Sequence, residues 1–322
     1  MPSLKEIKTR IASINSTRKI TSAMKMVASS KLHHAQVAIQ NMLPYENLLE
    51  HILKSFLVSA PDIQRELEIK HEQVKSVALI VYSSNSSLCG GFNSNVLKMM
   101  QHAIDEYKAQ DVDDIVVYPI GRKVAEKIQK LGIKSAGDFT ELAEKPNAAE
   151  CTKIAHEVTV KFMAGEFDKV ELIYHHFKSA GSQILTRKTF LPIDLSAESI
   201  GQDNDRDLTS MVTTARAQEY LRKKAEKKRR MVDTVPLNDD FIVEPDLETV
   251  LRALIPKLLH LTVYTALLDS QASEHAARMV AMQTATDNAD ELLKSLNLEF
   301  NKSRQAAITN ELLDIVGGSA NN

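Results

Sequence analysis

PDLETVLRALIPKLLHLTVYTALLDSQASEHAARMVAMQTATDNADELLKSLNLEFNKSRQAAITNELLDIV, residues 245–316, contains no glycine and one internal proline, Pro256. Read as a single helix, the stretch extends about 108 Å at 1.5 Å per residue. An average helix has only about 11 or 12 residues. A helix this long cannot be buried in any domain the chain can build, so its outer part stands clear and must find a partner. Its ends carry helix punctuation. Pro245 suits the first helical position, Asp246 and Glu248 place negative charge in the first turn, and Gly317 with Gly318 offers a cap beyond Val316. Val250 to Leu268 is apolar on nearly every face, which implies burial on several sides. Arg252, Pro256, Lys257 and His260 argue against reading it as a membrane span. Farther on, Met279, Met282, Ala285, Ala289, Leu292 and Leu296 form one stripe for one partner helix.

The other end of the chain mirrors this pattern. Ser3 followed by Glu6 reads as a capping box, in which side chain and backbone satisfy each other reciprocally. From there Leu4, Ile7, Ile11, Ile14, Arg18, Thr21, Lys25, Ala28, Leu32, Ala35, Ile39 and Met42 recur at heptad spacing, with two charged positions in the seam. Pro44 should bend or end the helix, and apolar residues resume at Leu48, Leu49, Ile52, Leu53 and Phe56. Seams at both ends of one chain predict an antiparallel coiled coil whose C-terminal helix projects past its partner.

Between the arms the period changes. Val77–Tyr82, Asp114–Ile120, Lys169–Phe177 and Gln183–Pro192 read as strands; Asn93–Tyr107, Arg122–Leu131 and Asn147–Ala164 read as helices. Alternation of this kind predicts an α/β domain with a largely parallel sheet, and Ser179–Ser182 joins the last two strands as an antiparallel edge hairpin. The resulting division is a coiled-coil helix over 1–58, the α/β domain over 74–198, a charged insertion over 199–238 and a second coiled-coil helix over 245–318. Within the insertion, seven of the nine residues Arg222–Arg230 are basic, which fits a solvated face better than a docking site for an acidic surface.

The chain has 322 residues and a formal net charge of −2, so no global imbalance points to nucleic acid or an anionic membrane. Cys89 and Cys151 lie far apart, which favours a reducing compartment, and no signal peptide or apolar span of about 20 residues is expected. Chemical motifs are scarce. The loop Ser83–Asn95 follows a strand, contains Gly90-Gly91 and opens a helix, a topology able to cradle an anion. It matches neither nucleotide fingerprint, and a structural turn is the stronger reading. His156-Glu157 starts an H-E-x-x-H pattern that fails at Val160. The pairs His33-His34 and His175-His176 cannot chelate, because neighbours diverge on a helix and alternate across a strand. The N-terminal helix is basic, with Lys5, Lys8, Arg10, Arg18, Lys19, Lys25 and Lys31 against Glu6, but these residues interleave with the seam instead of forming a separate DNA-binding block. A DNA-binding coiled coil and a stand-alone α/β enzyme are therefore the weaker readings.

Long motifs carry more weight. Arg10–Leu32 (RIASINSTRKITSAMKMVASSKL), Ala281–Ala289 (AMQTATDNA), Asn301–Gly318 (NKSRQAAITNELLDIVGG) and Ser87–Asn93 (SLCGGFN) together resemble the gamma subunit of F-type, proton-translocating ATP synthases of bacterial type. That resemblance implies a central Rossmann-like α/β domain and a long antiparallel two-helix coiled coil of N- and C-terminal helices. It implies a rotor shaft, non-catalytic by itself and without a cofactor or metal, that couples ion-driven rotation of the membrane c-ring to catalysis in the alpha/beta hexamer. The implied partners are the alpha and beta subunits, the epsilon subunit and the c-ring, with no nucleic acid. The implied location is the cytoplasmic face of the bacterial inner membrane. Position for position, shaft contacts to beta fall on Met24, Lys25, Arg304 and Gln305. Two departures stand out. Asn85-Ser86-Ser87 replaces the family's usual aspartate, basic residue and glycine, and the 199–238 insertion lacks the cysteine pair of photosynthetic relatives.

Overall fold

The computed structural model describes residues 3–59, 74–112, 114–193 and 242–319. The charged stretch 199–238, with Arg222–Arg230, lies outside the described residues. In chain order the elements are α1 (Leu4–Ser59), β1 (Ser76–Tyr82), α2 (Phe92–Ala109), β2 (Asp114–Ile120), α3 (Arg122–Leu131), β3 (Lys134–Ser135), a 3₁₀ turn (Thr140–Ala143), α4 (Ala148–Met163), β4 (Lys169–Ser179), β5 (Ser182–Leu191) and α5 (Leu247–Ser319). Two compact units emerge: Ser30–Ala277, and Met1–Ser29 with Arg278–Asn322. Each long helix contributes to both.

In the first unit the sheet order is β3-β2-β1-β4-β5. β1 pairs in parallel with β2 and β4, and β5 closes the edge antiparallel to β4. Strand alternation sorts the core into two faces. Val77, Leu79 and Val81 of β1 pack with Val96, Met100 and Ile104 of α2 and Val124 and Ile128 of α3. Ala78, Ile80 and Tyr82 point the other way, towards Ile154 and Val158 of α4 and Leu251, Ile255, Leu259 and Val263 of α5. Both faces are covered, which is why the central strands read as continuous apolar runs.

One of these faces accounts for the apolar start of α5. An 18-residue window of this helix is hydrophobic enough, by length and composition, to cross a membrane. In the structure Leu251, Ile255, Leu259, Val263, Ala266 and Leu267 are domain core instead. Polar groups also grip this part of the helix. Tyr82 Oη donates to the Val263 carbonyl at 2.9 Å, and Thr265 Oγ1 donates to Glu46 of α1 at 3.2 Å. Asp269 Oδ2 meets His176 Nδ1 of β4 at 2.8 Å, and Ser273 Oγ donates to the His175 carbonyl at 3.2 Å.

Several expectations about helix ends need correction. Pro245 precedes the helix, and Asp246 is its cap, accepting from Thr249 N at 2.8 Å and from Thr249 Oγ1 at 2.7 Å. Gly317 and Gly318 do not stop α5, which continues to Ser319. Nor does Pro44 end α1, just as Pro256 sits inside α5. A proline frees the carbonyl four residues earlier. Those positions are Gln40 and Arg252, both exposed, so water can satisfy the freed groups. The strand β3 was not anticipated. It is two polar residues held by pairing with Val116 and Val117 of β2, and has no side-chain pattern to announce it.

Glu171 was also unanticipated as a buried acid. It lies on β4 at 3% exposure, paired with Arg187 at 2.7 Å and Lys169 at 2.9 Å. Arg187 also reaches Glu106 of α2, and both cations lie over the Tyr107 ring. Burial pushes the Glu171 carboxyl up, but hydrogen bonds from Arg187 and Lys169 outweigh it and hold the group below its ordinary range.

Candidate functional site: the two-helix shaft

The second unit is an antiparallel helix pair. At its start Ser3 N donates to Glu6 Oε2 at 2.9 Å and Glu6 N donates to Ser3 Oγ at 3.3 Å, the reciprocal box expected from the sequence. Arg18 Nη1 donates to Asp290 Oδ1 at 2.9 Å, and the Thr21 and Thr286 hydroxyls meet at 2.9 Å. No residue of the predicted α1 seam is exposed; Ile7, Thr21 and Ala28 are buried in this unit. Of the charged seam positions, Arg18 carries its head to Asp290 at the edge, and Lys25 is half-buried.

On α5 one predicted stripe residue is misplaced. Leu292 is 52% exposed, whereas Leu293 is half-buried. Heptad spacing runs Met282, Thr286, Ala289, Leu293, Leu296, Phe300, Ser303, Ala307, and every one of these is buried or half-buried.

Register follows from the two cross-helix contacts, since facing positions add to 307 or 308. Met24 and Lys25 therefore stand level with Met282 and Gln283. Arg304 and Gln305 stand level with Ser3, where α1 begins. The structure does not bring the four residues together: about 20 residues of helix, or ~30 Å, separate the two levels. Met24 and Lys25 are half-buried and show only part of their side chains, while Arg304 and Gln305 are exposed. Beyond residue 305 no described part of α1 faces α5, so roughly 15 residues, ~22 Å, continue alone. Ile308, Leu312 and Leu313 on that extension are 50%, 57% and 63% exposed.

The sequence reading passed over Ile20, Met26 and Val27. They lie beside Met24 and Lys25, are 60%, 66% and 58% exposed, and face away from the seam. The available signal was their apolar character at positions outside the heptad spacing. Exposed apolar residues thus lie beside both levels.

Among the described residues the α/β domain offers no comparable site. The anion-cradle reading of Ser83–Asn95 fails on geometry. Asn93 Oδ1 accepts from Ser84 N at 3.1 Å, and its Nδ2 donates to the Ser86 carbonyl at 3.2 Å, so the loop closes on itself. Asn85, at a position where the family usually differs, is a brace. Its amide donates to the Thr140 carbonyl at 2.8 Å and its Oδ1 accepts from Arg122 N at 2.8 Å. Open α/β sheets bind ligands at the carboxyl ends of the strands, at the switch point between neighbouring crossovers. Here that place, beside Ser83 and Ser84, is covered by Leu267, Ser270, Gln271 and Glu274 of α5. The cleft left there has about 230 Å³ of free space, solvent included.

The titratable groups agree. His175 stacks on Phe92 at 4.4 Å while His176 turns to Asp269, the opposite orientations expected of strand neighbours. Burial pushes the Cys151 thiol up to about 12, far from a nucleophile's range. Among the described residues no group of three or more His, Cys, Asp or Glu is placed to hold a metal.

A family model described as "ATP synthase" matches residues 3–321. The chain is 50% identical to the ATP synthase gamma chain of Phocaeicola vulgatus over 319 residues, covering 99% of each. It is 48% identical to that of Bacteroides thetaiotaomicron and 39% identical to that of Flavobacterium johnsoniae, again over 99% of this chain. In solved structures it resembles a chain of the central stalk and c-ring of Tetrahymena thermophila mitochondrial ATP synthase. That match has 26% identity and a TM-score of 0.54, and covers 83% of this chain and 99% of the other. A rotor chain of Euglena gracilis mitochondrial ATP synthase shares the fold at 16% identity, with a TM-score of 0.56 and coverage of 95% and 98%. A paired-helix shaft, and an α/β domain whose described residues form no catalytic constellation, fit this assignment, and the chain belongs to the ATP synthase gamma chain family, as the non-catalytic rotor subunit of the central stalk.

Proposed function

We propose that the shaft turns inside the alpha/beta hexamer and biases each beta subunit differently, while the α/β domain is carried on the membrane c-ring beside the epsilon subunit, at the cytoplasmic face of the bacterial inner membrane. Rotation presents a different shaft face to each beta subunit, and a surface that contacts one conformation better than another shifts its population. The unpaired, apolar end of α5 is the observation that carries this reading: Ile308, Leu312 and Leu313 are exposed in the chain alone and need an apolar sleeve. The implied contacts fall at two heights. Met24 and Lys25, with Ile20, Met26 and Val27, form the first. Arg304 and Gln305 form the second, where the guanidinium offers a bidentate grip on a carboxylate.

The test replaces Arg304 and Gln305 together by Ala in the assembled complex. Losing a charge-assisted hydrogen bond at a desolvated interface costs about 1.5–3 kcal/mol. If that contact is made in only some rotary positions, ATP hydrolysis falls by roughly tenfold to a hundredfold, with assembly unchanged. Wild-type turnover in the fully assembled double variant would refute the assignment of the second contact.

A further inference from the structure

We propose that the polar contacts around α5 between Thr265 and Ser273 form a torque collar, fixing the rotational setting of the shaft helix in the α/β domain. The inference rests on the rotor reading above. Apolar burial is non-directional, and in this part of α5 small buried residues, Ala266, Ser270, Ala272, Ser273 and Ala276, alternate with larger ones such as Leu267 and Leu268, at 2% exposure each. Apolar packing alone would hold such a helix in place and resist twisting weakly.

Hydrogen bonds do have direction, and their placement here matters. Thr265, Asp269 and Ser273 are spaced four residues apart, so they follow one another along the same side of the helix. Their partners come from two elements, Glu46 on α1 and His176 with the His175 carbonyl on β4. Gln271 points about 160° away from Asp269 at 100° per residue. It reaches the carbonyls of Ala143 and Glu144, at 3.5 and 3.4 Å, beside the 3₁₀ turn. Turning the helix in either sense pulls contacts on opposite sides out of line. Asp269 and Thr265 are 1% and 6% exposed, so no solvent is at hand to replace a broken partner. A buried polar group left without a partner carries its full desolvation penalty. The collar therefore converts a small twist into a steep energy rise, which a part transmitting torque into the shaft requires.

The test uses the assembled hexamer containing the full chain, with a bead fixed to the α/β domain, so that torque is read across the collar. The variant Asp269→Ala with Ser273→Ala should keep ATP hydrolysis near the wild-type rate and reduce the measured torque at least twofold. Asp269→Asn, which retains a hydrogen-bonding group, should restore most of it. A purely structural role would lower hydrolysis and torque together and would not separate the two. Wild-type torque in the assembled double variant overturns the proposal. If that variant fails to assemble, Thr265→Val with Gln271→Ala removes one contact from each side while leaving Asp269 and His176 paired, and unchanged torque there overturns the proposal equally. A wild-type complex that hydrolyses ATP without turning the bead would instead overturn the rotor reading.

Discussion

His175 should make the chain acid-labile in a defined window. It stands on β4 at 3% exposure, stacked on Phe92, and burial lowers its pKa from 6.5 to about 4. The folded state thus holds the imidazole neutral while the unfolded chain protonates it near 6.5. Above that value neither state carries the proton and stability is unaffected. As pH falls through 6.5 the unfolded state alone gains a proton, and stability declines until about pH 4, where the folded state takes it up as well. At 1.36 kcal/mol per unit the full loss is about 3 kcal/mol. Between pH 7 and pH 5 the same linkage gives about 2 kcal/mol.

The perturbation is His175→Leu, which keeps an apolar partner for Phe92 and removes the titration. Urea unfolding of wild type and variant would be followed at pH 7, 6 and 5 through the near-ultraviolet signal of the buried tyrosines Tyr82, Tyr118 and Tyr174. Comparing the two proteins cancels the carboxylates, including Glu171 and Glu106, whose pKa values are lowered by partners the variant keeps. Wild type should lose about 2 kcal/mol more than the variant from pH 7 to pH 5. Parallel curves for the two proteins would refute the reasoning and place the origin of any acid lability elsewhere.

Gly121→Ala should be severe. Its φ is +105°, and an added Cβ would lie 2.2 Å from the Ser83 carbonyl oxygen, so the β1–β2 strand ends must part. A cost above about 3 kcal/mol is expected, read as a melting temperature at least ~8 °C lower; a drop of a degree or two would show that the turn adapts. Arg18→Ala should be mild, because the pair with Asp290 is 39% and 44% exposed and such pairs are worth about 1 kcal/mol or less. Thermal melts of the two proteins would decide it, and a loss of several kcal/mol would mean that Arg18 packs more than it pairs.

Much of this architecture is legible in the sequence because it follows from periodicity. The heptad spacing from Leu4 to Met42 is the buried face of α1, and runs such as Val77–Tyr82 are strands covered on both faces. What escaped has a physical cause in each case. Leu292 and Leu293 are adjacent leucines, and only the partner helix decides which one enters the seam. Pro44 and two glycines looked like stops because local propensity says so. Exposure of Gln40 and Arg252 explains the tolerance of Pro44 and Pro256. Asp269 and Ser273 carry no motif, and His176 was legible only as half of a pair that cannot chelate. Their burial depends on three elements meeting, which no local window contains. The four shaft positions were reached through family resemblance, and their separation into two levels needed the register.

α5 is one helix with three surfaces, and the change from one to the next is itself informative. Leu251 to Ala276 is buried on most sides and tethered by hydrogen bonds. From Met279 to about Ser303 a single heptad stripe is covered, leaving charged and apolar residues outward. Beyond that level no described part of α1 faces it, and its leucines are exposed. A helix that merely completed a domain would end with the first surface, and one that merely dimerised would end with the second. The third has no stabilising role within the described chain, since leaving Leu312 and Leu313 in water forfeits about 1.5–3 kcal/mol for each side chain that a partner could bury. That unrealised burial is what the shaft contacts proposed above would recover in an assembly.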